Sequence, residues 1–216
     1  MIATGSRGRE IAGTGIDHLI VGCRDLDFGI AAIEALTGIR AAPGGVHPGR
    51  GTRNALLSLG SRRYLELVAP DPAQSAITWF NVIQSLPDPR LIGWAAATDD
   101  IDAIARRLRD AQIAFVGPAA GSRARPDGTV LEWRTVALGD NAGGLLPFFI
   151  EWGATSVHPS VDAPSGCELV RFDVGYADVN QLRRTAQAIG IEMSIEQSQQ
   201  PWLRATITGP RGAFEL

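Results

Sequence analysis

The sequence predicts an α+β fold built from a repeated strand–helix–strand unit. Three observations carry this expectation. Strand and helix signals recur in the same order three times along the chain. The helix starts, Asp25, Asp100 and Asp178, are separated by 75 and 78 residues. The final strands YLELV, FFIEW and AFEL line up, each placing one glutamate among apolar neighbours: Glu66, Glu151 and Glu215. Repetition at a fixed period marks units that bury their apolar faces against one another.

The first unit opens with IDHLIVG, Ile16–Gly22, a β-branched run. DLDFGIAAIEALTG follows, with Asp25 as N-cap, an expected apolar stripe of Phe28, Ala31, Ala32, Ala35 and Leu36, and Gly38 as the stop. After a Pro/Gly loop, TRNALLSLG and RRYLELVAP form a hairpin across Gly60-Ser61. The second unit runs through LIGWAAATDD, a helix with Ile101, Ile104, Ala105 and Leu108 on one face, the short strand IAFVGP, then TVLEWRTVAL and PFFIEWG. The third comprises CELVRFDVGY, DVNQLRRTAQAIG, IEMSIEQ, WLRATITGP and GAFEL. The expected divisions are a mobile tail at 1–15, a first module at 16–70, a linker helix at 71–90, a second module at 91–153, a linker at 154–166 and a partial third module at 167–216.

Composition narrows the function classes. Net charge is −3, so no basic face is expected for nucleic acid. No apolar run approaches a membrane helix, and the first fifteen residues lack the apolar block of a secretory signal. A cytoplasmic location is the expectation. Cys23 and Cys167 lie far apart and read as buried free thiols. There is no GxSxG, GxGxxG or Walker loop.

Glu66 poses the chemical question. Side chains alternate along a strand, so if Leu65 and Leu67 pack under the helix, Tyr64, Glu66 and Val68 face the other way. By the same parity Ile16, His18 and Ile20 share that face. A lone carboxylate in a low-dielectric interior costs several kcal/mol unless paired or protonated. A divalent cation resolves that cost, and so does a raised pKa. Imidazole with carboxylates suits Zn, Fe, Mn or Ni.

GIDHLIVGCRDLD, GGVHPGRGTRNALLSLG and YLELVAPDP resemble the vicinal oxygen chelate superfamily, in its glyoxalase-like branch (the glyoxalase, bleomycin resistance and extradiol dioxygenase type). The resemblance is strongest over 16–72, weakens over 91–153 and is architectural over 166–216. It implies paired βαβββ modules in a curved, half-open barrel of mixed sheet. The third module is expected to cover or extend that barrel rather than form its own site. The resemblance also implies metal ligands at His18, Glu66 and Glu151. The fourth position falls near Trp94, which cannot bind a metal. The implied function is a metal-dependent lyase, isomerase or dioxygenase acting on a small oxygen-bearing molecule; the alternative is a metal-free binding or sequestering protein. A homodimer is a further expectation from the resemblance.

Around this pattern, Glu66 and His47 are the candidate catalytic acid/base groups, and His47 sits in a Gly-rich loop suited to closing over a ligand. Asn54 shares the cavity face with Thr52 and is a candidate for substrate binding. Arg53 is another, on condition that a bulge near Gly51 shifts the register. Trp94 is a candidate pocket wall, as the other tryptophans, Trp79 among them, are core or wall. His158 in SVHPS reads as a solvated linker histidine, and Glu215 as an exposed edge residue.

Overall fold

A computed structural model describes residues 15–75, 77–78, 80–125 and 128–216. The expected tail lies, but for Gly15, outside the described residues, as does Trp79. Eight strands form one mixed sheet: β1 (Ile16–Gly22), β2 (Ala42–His47), β3 (Thr52–Ser58), β4 (Tyr64–Pro70), β5 (Arg90–Ala97), β6 (Phe115–Ala124), β7 (Val130–Leu138) and β8 (Phe148–Trp152). Their order is β2-β3-β4-β1-β5-β8-β7-β6. The two units meet at the antiparallel β1–β5 pair, and each closes on its own last strand in parallel, β1 on β4 and β5 on β8. The sheet curls until its edge strands approach: a Cβ on Gly45 of β2 would lie 3.2 Å from the Ala124 carbonyl oxygen of β6. This is the curved half-barrel that the resemblance implies.

Helices α1 (Leu26–Thr37) and α2 (Ile101–Asp110) pack on the outer face. Asp25 and Asp100 accept from the backbone N–H three residues on, satisfying donors that a helix start leaves open. Gly38 ends α1 in the left-handed region, where glycine avoids the Cβ clash. In α2 the expected face is the buried one. In α1 it is not. Leu26, Gly29, Ile30, Ile33 and Thr37 are buried, while Phe28 and Leu36 are exposed. Gly29 sets this rotation: its missing side chain lets the helix press on Cys23 and Leu67.

The third unit forms its own sheet, ordered β10-β9-β11-β12, from β9 (Glu168–Tyr176), β10 (Ser194–Gln197), β11 (Trp202–Gly209) and β12 (Gly212–Glu215), with α4 (Val179–Ile189). It covers the outer face between α1 and α2. Its Val174, Leu182, Ala205 and Ile207 belong to one core with Leu19, Leu65 and Leu67. The Arg211 guanidinium donates to the Ala35 carbonyl of α1, and Arg107 of α2 to Ile189 of α4.

Two connecting segments plug the inner face. Ile83 and Leu86, from a 3-10 turn at Asn81–Ser85 and the residue that ends it, pack on Ile20 and Val68. The short helix α3 (Pro159–Asp162) leads to Ala163, which packs on Leu56 and Tyr64.

Candidate active site

Between these two apolar plugs the inner face holds a buried polar cluster, and strand parity assembles it. Alternation puts His18 and Ile20 of β1, Tyr64, Glu66 and Val68 of β4, and Thr52 and Asn54 of β3 on one side. His47 joins them because β2 is a full strand and pairs His47 with Thr52. The sequence reads this segment as a loop, since APGGVH has almost no β-formers. It is a strand because β3 supplies a partner. A register shift in β1 between Ile16 and His18 places Asp17 at a bulge. Bulges re-aim side chains, and Asp17 is accordingly buried beside His18 instead of under the helices.

The contacts form a chain. Asp17 Oδ1 lies 2.7 Å from His18 Nδ1. His18 Nε2 lies 3.6 Å from Glu66 Oε2. The other carboxylate oxygen, Glu66 Oε1, accepts from Asn54 Nδ2 at 2.5 Å and stands 3.4 Å from His47 Nε2. His47 Nδ1 meets the Thr52 hydroxyl at 2.8 Å. On the far side Asp17 Oδ2 accepts from Trp152 Nε1 at 3.0 Å and from His158 Nε2 at 3.2 Å. The tautomer of His158 follows from its other nitrogen: Nδ1 accepts from the Ser160 backbone N–H, so the proton is on Nε2. His158 is therefore buried, not a solvated linker residue.

These contacts set the charges. Burial alone would raise the Glu66 pKa, but hydrogen bonding and charge interaction with His47, the charge interaction with His18 and the Asn54 hydrogen bond bring it down to about 2. Burial likewise opposes the Asp17 carboxylate, and its bonds from His158 and His18 hold its pKa well below the usual range. Both acids are ionised at neutral pH. Tyr64 stacks on the His18 ring at a centroid distance of 4.5 Å, and Phe148 meets that ring edge-on at 5.6 Å. Burial, and then the charges of Asp17 and Glu66, push the Tyr64 phenol well up, so it stays neutral.

One cation enters from the second unit. Arg123 of β6 crosses the seam between β6 and β2 and is 6% exposed. A Cβ on Gly44 would lie 3.1 Å from its Nη1, so the glycine leaves room for the guanidinium. Burial lowers its pKa, opposed by the charge of Glu66. No sequence signal marked Arg123 or Asp17. The seam exists only in three dimensions, and the bulge inverts the parity on which sequence reasoning relied.

Three expected site residues lie elsewhere. Glu151 is on the outer face. The register His18↔Ala95 and Ala95↔Phe148 places Phe148, Ile150 and Trp152 inward, with Phe149 and Glu151 outward. Glu151 instead accepts from the Ile101 backbone N–H at the start of α2 and pairs with Arg134. Ile20↔Glu66 in the first unit corresponds to Ala95↔Phe148 in the second, so Phe148, not Glu151, takes the place equivalent to Glu66. Trp94 is opposite Leu19 on the outer face, donates to the Leu145 carbonyl and packs on Phe172 of the third unit. Inward-facing positions on β5 are Gly93, Ala95 and Ala97, with Ile92 turned in at the register shift. Arg53 points outward with Val46, opposite Ala69.

The second unit thus offers no metal donor on the inner face of β5 or β8. Two imidazoles and a carboxylate from the first unit are suitable donor types, but the imidazoles address different oxygens of Glu66. Among the described residues no group of three His, Cys, Asp or Glu side chains is placed to hold a metal ion. The side chains as arranged do not form a metal shell.

The chain is similar to several solved structures. A crystal structure of a hypothetical protein from Staphylococcus aureus matches 93% of this chain and 84% of its own, with a TM-score of 0.66 at 18% identity. Methylmalonyl-CoA epimerase from Mycobacterium tuberculosis is 22% identical over 70% of this chain and 91% of its own, with a TM-score of 0.44. The Streptomyces coelicolor epimerase, in complex with 2-nitronate-propionyl-CoA, is 24% identical over 68% and 99%, with a TM-score of 0.49. No protein of curated function matches the sequence. The family model described as the glyoxalase-like domain matches residues 16–190, and the chain belongs to that family.

Proposed function

We propose that the protein is a glyoxalase-like enzyme that moves a proton at a carbon next to a carbonyl in a small oxygen-bearing molecule. The observation that carries this reading is the placement of His18 between two ionised carboxylates. Asp17 accepts from Nδ1 and so presents Nε2 to the interior, the arrangement by which a carboxylate orients a catalytic base. In the proposed step Nε2 removes the carbon-bound proton, and the C–H electron pair moves into the carbonyl to give an enolate. The proton held on Nε2 then lies against Glu66 Oε2. His47 sits on the opposite oxygen of Glu66 and returns a proton to the neighbouring carbon or oxygen. With its pKa near 2, Glu66 serves better as fixed negative charge than as the base itself.

A second reading, metal-dependent chemistry at His18, His47 and Glu66, is favoured by one feature. Both imidazoles have partners on Nδ1, Asp17 and Thr52, as ligating histidines do. Elemental analysis of untagged protein, beside solvent-exchange assays with and without a chelator, separates the readings. Exchange that survives chelation and is lost in His18→Gln supports acid–base catalysis. Stoichiometric metal lost in His18→Gln and Glu66→Gln supports the metalloenzyme. Ligand binding with neither metal nor exchange supports a sequestering protein.

A further inference from the structure

Among the described residues, two polar groups at the β2–β6 seam stand without a close partner of the kind each calls for. Asn54 is 3% exposed, and its Oδ1 is buried with no hydrogen bond among the described residues. Its orientation is set by chemistry. Exchanging the amide atoms would turn Oδ1 onto the ionised oxygen of Glu66, acceptor against acceptor, so Nδ2 belongs there and Oδ1 is left facing Gly44. Arg123 is the second group. Glu66 and Asp17 spend their short ion-pair contacts on histidines, and among the described residues no carboxylate lies within salt-bridge distance of Arg123. A buried cation without a paired anion, or a buried acceptor without a donor, is costly. The two meet beside Gly44: a Cβ there would lie 2.4 Å from Asn54 Oδ1 and 3.1 Å from Arg123 Nη1, so the glycine lets both groups approach the backbone.

We propose that Arg123 and Asn54 form a recognition subsite for a small carboxylate bearing a neighbouring hydroxyl. The carboxylate accepts from the Arg123 guanidinium, and the hydroxyl donates to Asn54 Oδ1. Such a ligand supplies both missing partners at once: an anion for the cation and a donor for the acceptor. Arginine suits this role because its planar fork matches a carboxylate. The subsite rests on the proposed location of the active site but not on turnover.

Calorimetric binding of four related probes tests it: 2-hydroxyisobutyrate, isobutyrate, which lacks the hydroxyl, and the amides of both, which lack the charge. The wild-type protein is expected to prefer 2-hydroxyisobutyrate by roughly tenfold or more over each of the others, the scale set by leaving a buried polar group unpaired. Arg123→Gln is expected to erase the preference for carboxylate over amide while keeping the preference for hydroxyl. Arg123→Lys should retain part of the charge preference, and it answers the question if the glutamine variant fails to fold. Gly44→Ala would press its methyl group on Asn54 Oδ1, Leu56 and Arg123 and, by displacing both recognition groups, should weaken both preferences. Equal affinity for all four probes, no binding of any, or an unchanged preference in Arg123→Gln overturns the proposal. Binding with these preferences but without proton exchange sinks the enzymatic reading alone. Exchange without them sinks the subsite alone.

Discussion

Asp17 ties three parts of the interior together. It accepts from His18, His158 and Trp152, and so joins the first strand to the end of β8 and to the second linker. Replacing it with alanine leaves three buried donors unpaired. Asp17→Ala is expected to cost about 3–5 kcal/mol in urea unfolding, as for breaking a buried ionic network, and Asp17→Asn less. Glu66 adds a pH signature. Its pKa falls from 4.5 in the open chain to about 2 when folded. The stability it contributes is therefore full above about pH 4.5 and is lost as pH falls towards 2. Glu66→Gln should flatten that part of the acid-unfolding curve, measured by circular dichroism at fixed urea. A variant with the same acid slope as wild type would show that Glu66 is not held ionised in the fold. Cys23, whose thiol burial pushes up to about 12, should stay unreactive to iodoacetamide until the protein unfolds.

At the scale of elements, the helix caps are the plainest case of sequence deciding structure. Asp25→Ala should cost about 1 kcal/mol in thermal or urea unfolding, because Phe28 N–H loses its acceptor. The helix starts and most strands were legible because caps and alternation are local signals. The site was legible only where parity was local as well. His18, Glu66 and Asn54 share a face because each follows the simple alternation of its own strand. Glu151 was misplaced because parity on β8 is set by its register with β5, a non-local fact, and a one-residue offset moves every side chain to the opposite face. Asp17 was missed because a bulge breaks alternation, and β2 because pairing, not propensity, makes it a strand.

For the whole molecule, the two units of the barrel divide their labour. The first supplies the titratable cluster, and the second supplies Arg123, Phe148 and Trp152 as walls and charge. The third unit acts from outside, sealing the outer face through Trp94 and Phe172. Trp94→Ala should destabilise by about 3–5 kcal/mol, in the range of large core truncations, while leaving the probe affinities of the folded protein unchanged. In the proposed chemistry His18, set between Asp17 and Glu66, exchanges a carbon-bound proton. Its most direct test is mass-spectrometric deuterium uptake from D2O into small hydroxy-aldehydes, hydroxy-ketones and hydroxypyruvate. Uptake is expected with the wild-type protein, with persistence in Glu151→Gln and loss in His18→Gln. No uptake by the wild-type protein, or uptake undiminished in His18→Gln, would contradict this chemistry.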